Sequence, residues 1–355
     1  MTLLRVPPLS PRRLPAALLG ILMGLLTAAG PAATAWAEQS AVVFMYHRFG
    51  ESAYPSTNVR LEQFEAHINE FSSGRYAVKS LPDILAALRN GNPLPERTIG
   101  ISIDDAFMSV YREAWPRLRK AGLPFTLFVA TDPIDRRRRG YMSWDQIREL
   151  ARGGVTIGSQ TASHLHMAAS SKRRNAADLE KSNLRFEAEL DRLPTIIAYP
   201  YGEYSLDVRV VSQIAGFEFG FGQHSGVLHD KADFSFLPRF ALNETYGDIS
   251  RLKFAANALP LAVTDVLPAD PKLSLEQNPP SIGFTVGGEA VKALRRIACY
   301  TSGQGRSPVE RLGKRRVEVR PELAFRPGRT RINCTVPAKE DRWRWYGLQF
   351  YVPKN

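Results

Sequence analysis

Two aspartates in succession, Asp104 and Asp105, follow the apolar run Ile99-Gly100-Ile101-Ser102-Ile103. Adjacent carboxylates at the end of a buried strand are costly to desolvate unless a cation or a set of donors compensates them. A divalent metal is an economical answer. Neighbouring side chains at a strand end diverge, so one carboxylate can bind the ion while the other faces a water that the ion activates. The same pair also suits a helix N-cap ahead of Val110, and both readings stay open on these residues alone. His164 closes the short loop Gln160-Thr161-Ala162-Ser163-His164, a suitable place for a metal ligand. A lone histidine is also a common structural residue, and His166 lies two positions on. His47 and the segment Tyr199-Pro200-Tyr201-Gly202 complete the set of chemically capable groups.

What these groups share is position. Short β-rich runs are predicted at Ala41 to Tyr46, Thr98 to Ile103, Phe125 to Ala130, Val155 to Ser159, Thr195 to Ala198 and Phe217 to Gly222. Between them, apolar residues at spacings of three and four predict helices at Leu61 to Phe71, Pro82 to Arg89, Val110 to Ala121, Trp144 to Ala151, Ala176 to Leu190 and Leu206 to Ala215. This alternation predicts a parallel sheet, open or closed into a barrel. In a closed β/α barrel the loops after the strands converge on one face, and His47, Asp104-Asp105, Gln160 to His164 and Tyr199 to Gly202 all stand at such strand ends.

The pattern changes around Leu267-Pro268-Ala269-Asp270-Pro271 and Asn278-Pro279-Pro280. Beyond it lie β-like runs at Ile282 to Val286, Leu294 to Tyr300, Arg316 to Val319, Arg329 to Thr335 and Trp343 to Val352, which predict a small all-β sandwich. Its cysteines, Cys299 and Cys334, are the only two in the sequence and suit a disulfide in an oxidising compartment. Alternation places Trp343 and Trp345 on one strand face, fitting either a sandwich core or a sugar-stacking platform.

The compartment is suggested by the first 37 residues, where Arg5, Arg12 and Arg13 precede the apolar run Ala16 to Ala29 and then Ala35-Trp36-Ala37. This is the layout of a cleavable signal peptide, so the protein is expected to be exported, periplasmic or secreted. Removing three arginines and no acid lowers the formal charge from +12 to +9. An exported basic protein meets anionic envelope surfaces and acidic glycans rather than nucleic acid. Arg136-Arg137-Arg138-Arg139 is the densest basic patch and could bind such a polyanion or form a solvated loop.

The strand-end residues resemble those of the NodB-type polysaccharide deacetylases. Ser102-Ile103-Asp104-Asp105-Ala106 is similar to that family's T-F-D-D-G, Gln160-Thr161-Ala162-Ser163-His164 to its H-[ST]-x-x-H, and Ala198-Tyr199-Pro200-Tyr201-Gly202 to its R-x-P-Y-G. Val43 to His47 is like the first strand of many members, and the four motifs occur in the family's order between Ala41 and Asn243. The resemblance implies a distorted (β/α) barrel, which the small C-terminal all-β domain read from the strand pattern follows. The expected organisation is a signal peptide over 1–37, a NodB-like domain over 38–268, a Pro-rich linker over 269–280 and the β domain over 281–355.

By the same resemblance, Asp104 would be the general base and Asp105, His164 and Gln160 the ligands of a divalent metal, zinc being the family's usual ion. Tyr199, Pro200 and Tyr201 would line the groove with His47, and a backbone N–H near Tyr201 would help to hold the oxyanion. His229, in Val227-Leu228-His229, is the nearest match to the family's acid histidine, with His47 and His224 as rivals. Three positions depart from the family: Gln160 replaces a metal histidine, Ala106 a glycine, and Ala198 the arginine that orients the base, a role Arg239 could take over. The implied activity is removal of acetyl groups from an N-acetylated or envelope glycan by metal-activated water. The alternatives are a metal-independent carbon–nitrogen hydrolase of the same fold, or a catalytically silent glycan-binding protein.

Overall fold

The computed structural model of the protein describes residues 2–3 and 39–354, so the expected export segment, residues 2 and 3 apart, lies outside the described residues. Seven parallel strands form the first part: β1 (Ser40–Tyr46), β2 (Thr98–Ile103), β3 (Thr126–Val129), β4 (Thr156–Ser159), β5 (Ile196–Ala198), β6 (Phe219–Phe221) and β7 (Phe240–Ala241). Helices Leu61–Phe71, Leu81–Asn90, Trp144–Arg152, Lys172–Leu190 and Leu206–Ile214 occupy the connections where the apolar spacing placed them. Local chemistry fixes their starts. Ser80, Ser143, Ser171 and Ser205 each accept a backbone N–H of the first turn, satisfying a donor that the helix cannot. Strands β1 and β2 are buried on both faces apart from Ser40, as strands between helices must be.

The sheet curls until its two ends meet. β7 runs parallel to β1, pairing Phe44 with Phe240, and a parallel bridge joins Leu237 to Phe221 of β6. The Leu237 N–H donates to Gly220 O at 2.7 Å, and the Leu242 N–H donates to Met45 O at 2.9 Å. The segment 237–242 therefore seams a distorted barrel, with Arg239 midway across the join.

The C-terminal part is a two-sheet sandwich whose first strands arise earlier than the sequence suggested. Leu259–Pro260 pairs with Trp343–Val352, and Val263–Leu267 pairs with Ile282–Val286, so the boundary expected at 268 falls after two strands of the β domain. The stretch expected to be a linker, 269–280, is fastened down instead. The Leu273 N–H donates to Tyr351 O, the Tyr351 N–H donates to Pro271 O, and the Asn278 amide bonds both the N–H and the C=O of Phe325. Pro residues marked a change of fold there without making a tether. The strand expected from Leu294 begins at Ala298, because Gly288–Arg296 winds into a 3₁₀ helix.

Cys299 and Cys334 form a disulfide across directly paired positions of two antiparallel strands. Trp345 packs against the barrel rather than in the sandwich core. Its ring packs edge-on against Phe240 of β7 at 5.1 Å and near Phe254 at 6.0 Å, while Tyr346 on the other face meets Phe284 of the sandwich core. The tryptophan face thus covers the barrel seam.

Two buried histidines make the folded state sensitive to acid. His67 accepts a hydrogen bond from the Tyr46 hydroxyl at Nδ1 and donates from Nε2 to Gly247 O, which fixes one neutral tautomer. Burial pushes its pKa down to about 4, against smaller opposing effects of Gly247 and Asp248. Burial, then the charges of Arg331 and Arg239, lowers His224 to about 3. The unfolded chain binds these protons below the usual 6.5 whereas the native state refuses them until about 4 or below, so stability falls as pH drops through that window. Two such groups give a slope of up to about 2.7 kcal/mol per pH unit. Denaturant unfolding of His67→Gln should show roughly one proton less pH dependence between these limits than the unsubstituted protein; equal slopes would contradict the assignment.

Candidate active site

Asp104 and Arg239 are both fully buried and meet through two hydrogen bonds, Nη1 to Oδ1 at 2.6 Å and Nη2 to Oδ2 at 2.9 Å. The guanidinium also donates to Ser102 Oγ and to Gly222 O, and its flat face lies against Phe128 and Phe221. Planar, two-pronged pairing of this kind fixes orientation as well as charge. Arg239 was expected among the substrate-contacting groups, but it gives its hydrogen bonds to Asp104, Ser102 and Gly222 inside the barrel rather than to the groove. It holds Asp104 from behind, as an orienting arginine would.

Asp105 turns the other way. Its backbone is left-handed (φ 77°), as is that of Ala106 (φ 51°), where the resembling family carries glycine. The Asp105 N–H is shared between Phe128 O at 3.1 Å and Gln160 Oε1 at 2.8 Å. Its carboxylate oxygen Oδ1 lies 3.2 Å from Nε2 of His164. His164 (φ 55°) and Thr161 (φ 66°) are also left-handed, in a loop that Asp178 fastens by accepting the N–H groups of Ala162 and Ser163. Each such non-glycine residue stores about 1–2 kcal/mol of strain, of the kind that clusters at functional sites.

The charges of the pair support one another. Burial would raise the Asp105 pKa, but the hydrogen bond and charge of His164, with His47 and Arg48, hold it below the ordinary carboxylate value. Burial would lower that of His164, and Asp105 and Asp104 hold it above the ordinary value. His47 completes the cluster, with Nε2 3.8 Å from Asp104 Oδ2.

Tyr201 forms the opposite wall. Its ring stacks on His166 at 4.0 Å with an interplanar angle of 6°, and meets His164 edge-on at 4.7 Å. His166 in turn lies 3.0 Å from both carboxylate oxygens of the buried Glu203. Tyr199 and Pro200, expected in the groove, are buried instead. The Tyr199 hydroxyl donates to Ser235 O, and its ring packs among Tyr204 and Phe236, so this residue is core.

His229, the expected proton donor, is at the wrong end of the barrel. It pairs with Ser40, the first residue of β1, whereas His47 follows the last. Seven residues of strand separate the two ends by roughly 20 Å. A motif match of three residues carried no information about this register. Sequence reasoning also passed over Glu203 and Arg48. The latter lies over the Phe107 ring at 3.4 Å and pairs with Glu51, and neither belongs to a motif.

Among the described residues no three His, Cys, Asp or Glu side chains are grouped to hold an ion. Asp105 and His164 are suitable donors, but Gln160, expected as the third, is fully buried with its oxygen facing the Asp105 N–H. Its Nε2 is a buried donor without a partner and cannot bind a cation. The donor set therefore offers two protein ligands where a catalytic zinc site uses three, and does not fit a tightly held ion.

Residues 91–220 match the family model for polysaccharide deacetylase, and the barrel has the fold of the NodB-type deacetylases. YxkH of Bacillus subtilis is 25% identical over 178 residues, covering 50% of this chain and 62% of its own length, so less than two thirds of that relative is spanned. The poly-beta-1,6-N-acetyl-D-glucosamine N-deacetylase of Staphylococcus aureus is 23% identical over 233 residues, 58% of this chain and 80% of that protein. Among solved structures, the Streptococcus pyogenes deacetylase PplD in complex with acetate superposes with a TM-score of 0.57 at 18% identity, covering 61% of this chain and 98% of its own. IcaB from Ammonifex degensii gives 0.55 at 23% identity, covering 62% and 97%. These similarities show the fold.

Gln160→His should place an imidazole beside Asp105 and His164 and so raise zinc affinity by tenfold or more, on the order of a restored ligand. Zinc titration of the purified variant and its parent checks this; equal affinities would mean that position 160 does not adjoin a metal site.

Proposed function

We propose that the protein is an exported deacetylase that hydrolyses the acetamido group of an N-acetylated glycan, with Asp104 as the general base. The observation that carries this reading is the placement of Asp104, locked by Arg239 beside His47 and the Asp105–His164 pair on the rim of a deacetylase-type barrel. Asp104 takes a proton from water, the resulting hydroxide adds to the acetyl carbon, the C–N bond breaks, and His47 returns a proton to the leaving amine. Acetate and a free amine are the products. His47 replaces His229 as proton donor because it is the histidine beside the base. The Tyr201 backbone N–H is the proposed donor to the oxyanion.

The turned-away Gln160 amide favours, as a second reading, hydrolysis of a carbon–nitrogen bond without a tightly held metal. Export rests on the N-terminal pattern, and the relatives' substrates support a polymeric glycan. The exposed run Arg136 to Arg139 supports contact with an anionic envelope surface. It leads into Gly140 and Tyr141, which bond Met108 and Phe107 just beyond Asp105, so that charge stands on the rim of the site.

Asp104→Asn should lower acetate release from an acetylated chitooligosaccharide by about 10² to 10⁴, the usual loss when a general base is removed. Circular dichroism should show the variant folded at about 25 °C with a lowered melting temperature, because Arg239 loses its charged partner, and calorimetry should show the oligosaccharide still bound. Near-normal turnover would mean that another group is the base.

A further inference from the structure

We infer that the C-terminal β domain is part of the active site: Arg329 and Gln349 are positioning residues that hold the Tyr201–Gly202 loop in its working conformation. This inference rests on the deacetylase reading for its catalytic consequence, but its structural content stands separately.

The loop is a single 3₁₀ turn with a strained backbone. Tyr201 is left-handed at φ 60° without being glycine, and Gly202 follows at φ 69°. A Cβ at Gly202 would lie 2.5 Å from the Gln223 nitrogen, so the next loop of the barrel already presses on it. Strained backbone of this kind persists where the surroundings over-determine it.

Those surroundings come from the sandwich. The strands Gly328–Pro337 and Trp343–Val352 pair antiparallel with Arg331 directly opposite Gln349, and Arg329 lies two residues from Arg331 on the same face. Gln349 donates from Nε2 to Gly202 O at 2.5 Å and to Tyr201 O at 3.3 Å. The Gln349 amide is itself aimed by Arg331, whose Nε donates to Gln349 Oε1 at 3.0 Å. Arg329 donates from Nη1 to Tyr201 O at 2.7 Å and to Gln223 Oε1 at 3.2 Å. The strand approaches so closely that a Cβ at Gly347 would lie 1.8 Å from Ser225 O. Both carbonyls at the strained corner are thus claimed by donors from a part of the chain more than a hundred residues away.

The corner leads straight to the chemistry. Tyr201 stacks on His166 and touches His164, which in turn meets Asp105. Releasing the two carbonyls would let Tyr201 relax out of the left-handed region and withdraw its ring and its N–H from the site. Because the loop orients reacting groups more than it binds sugar, the loss should fall on kcat with KM changed less.

The test uses Arg329→Ala, Arg329→Lys and Gln349→Leu in the full chain. Arg329 is exposed, so its variants keep the fold even if Gln349→Leu does not. Hydrogen exchange read by mass spectrometry should show the amides of 199–205 exchanging about tenfold faster in Arg329→Ala with an unchanged melting temperature. The same variant should lose about ten- to a hundredfold in kcat on acetylated chitotetraose, the size expected when a site shifts by about an ångström. Arg329→Lys, which keeps a donor, should recover much of both. Unchanged exchange in Arg329→Ala, or faster exchange with unaltered kcat, would overturn the inference. Absence of acetate release from the unsubstituted protein would instead sink the deacetylase reading, and the exchange data would still decide whether the β domain holds the loop.

Discussion

A guanidinium and a carboxylate, each without exposed surface, meet inside the barrel where its first and last strands join. Neither charge could be buried alone. The pairing of Arg239 with Asp104 therefore constrains the seam segment, the end of β2 and the rotamer of the proposed base together. The arginine spends its remaining donors on Ser102 and Gly222, so three stretches of barrel converge on one side chain. Two adjacent aspartates at a strand end require compensation, and the structure meets that requirement in two ways. Asp104 has the arginine, and Asp105 has His164 and the shared acceptance of its N–H. The carboxylate pair that suggested a metal from sequence is thus stabilised largely by protein groups.

Much of this was legible beforehand because it depends on local periodicity. The runs Thr98 to Ile103, Ile282 to Val286, Arg316 to Val319 and Trp343 to Val352 form strands with the expected ends, and the helix Leu61–Phe71 matches its apolar spacing. Asp104, Asp105, His164 and His47 converge because each follows a strand of one parallel sheet. What escaped was set by long-range register. β7 is two residues long and adjoins a proline and an arginine, so no alternation announces it. His229 fits a short motif, yet its pairing with Ser40 carries it away from the rim. Tyr199 and Tyr201 look alike in the sequence, and only the left-handed turn at Tyr201 separates the core ring from the wall of the site. Gln160 differs from the family's histidine by a few atoms, but its amide finds a backbone N–H and turns with it.

The β domain bears on the site in the same long-range way. Its tryptophan face covers the seam through Trp345 and Phe240, next to the segment that carries Arg239, and its Arg329 and Gln349 reach the Tyr201 corner. The barrel is then held at its seam and at a strained loop by one neighbouring sheet. A disulfide between two buried cysteines ties together the inner strands of that sheet, which suits a module whose task is to stay rigid.

The central claim, that the buried Arg239–Asp104 pair holds both the seam and the base, is tested most directly by a double-mutant cycle on stability. Denaturant unfolding would compare the unsubstituted protein, Arg239→Met, Asp104→Asn and the double variant. Removing the arginine alone strands a buried carboxylate and should cost on the order of 3–5 kcal/mol, whereas the double variant should recover a large part of that loss. Losses that simply add, with the double variant the least stable of the four, would contradict the account.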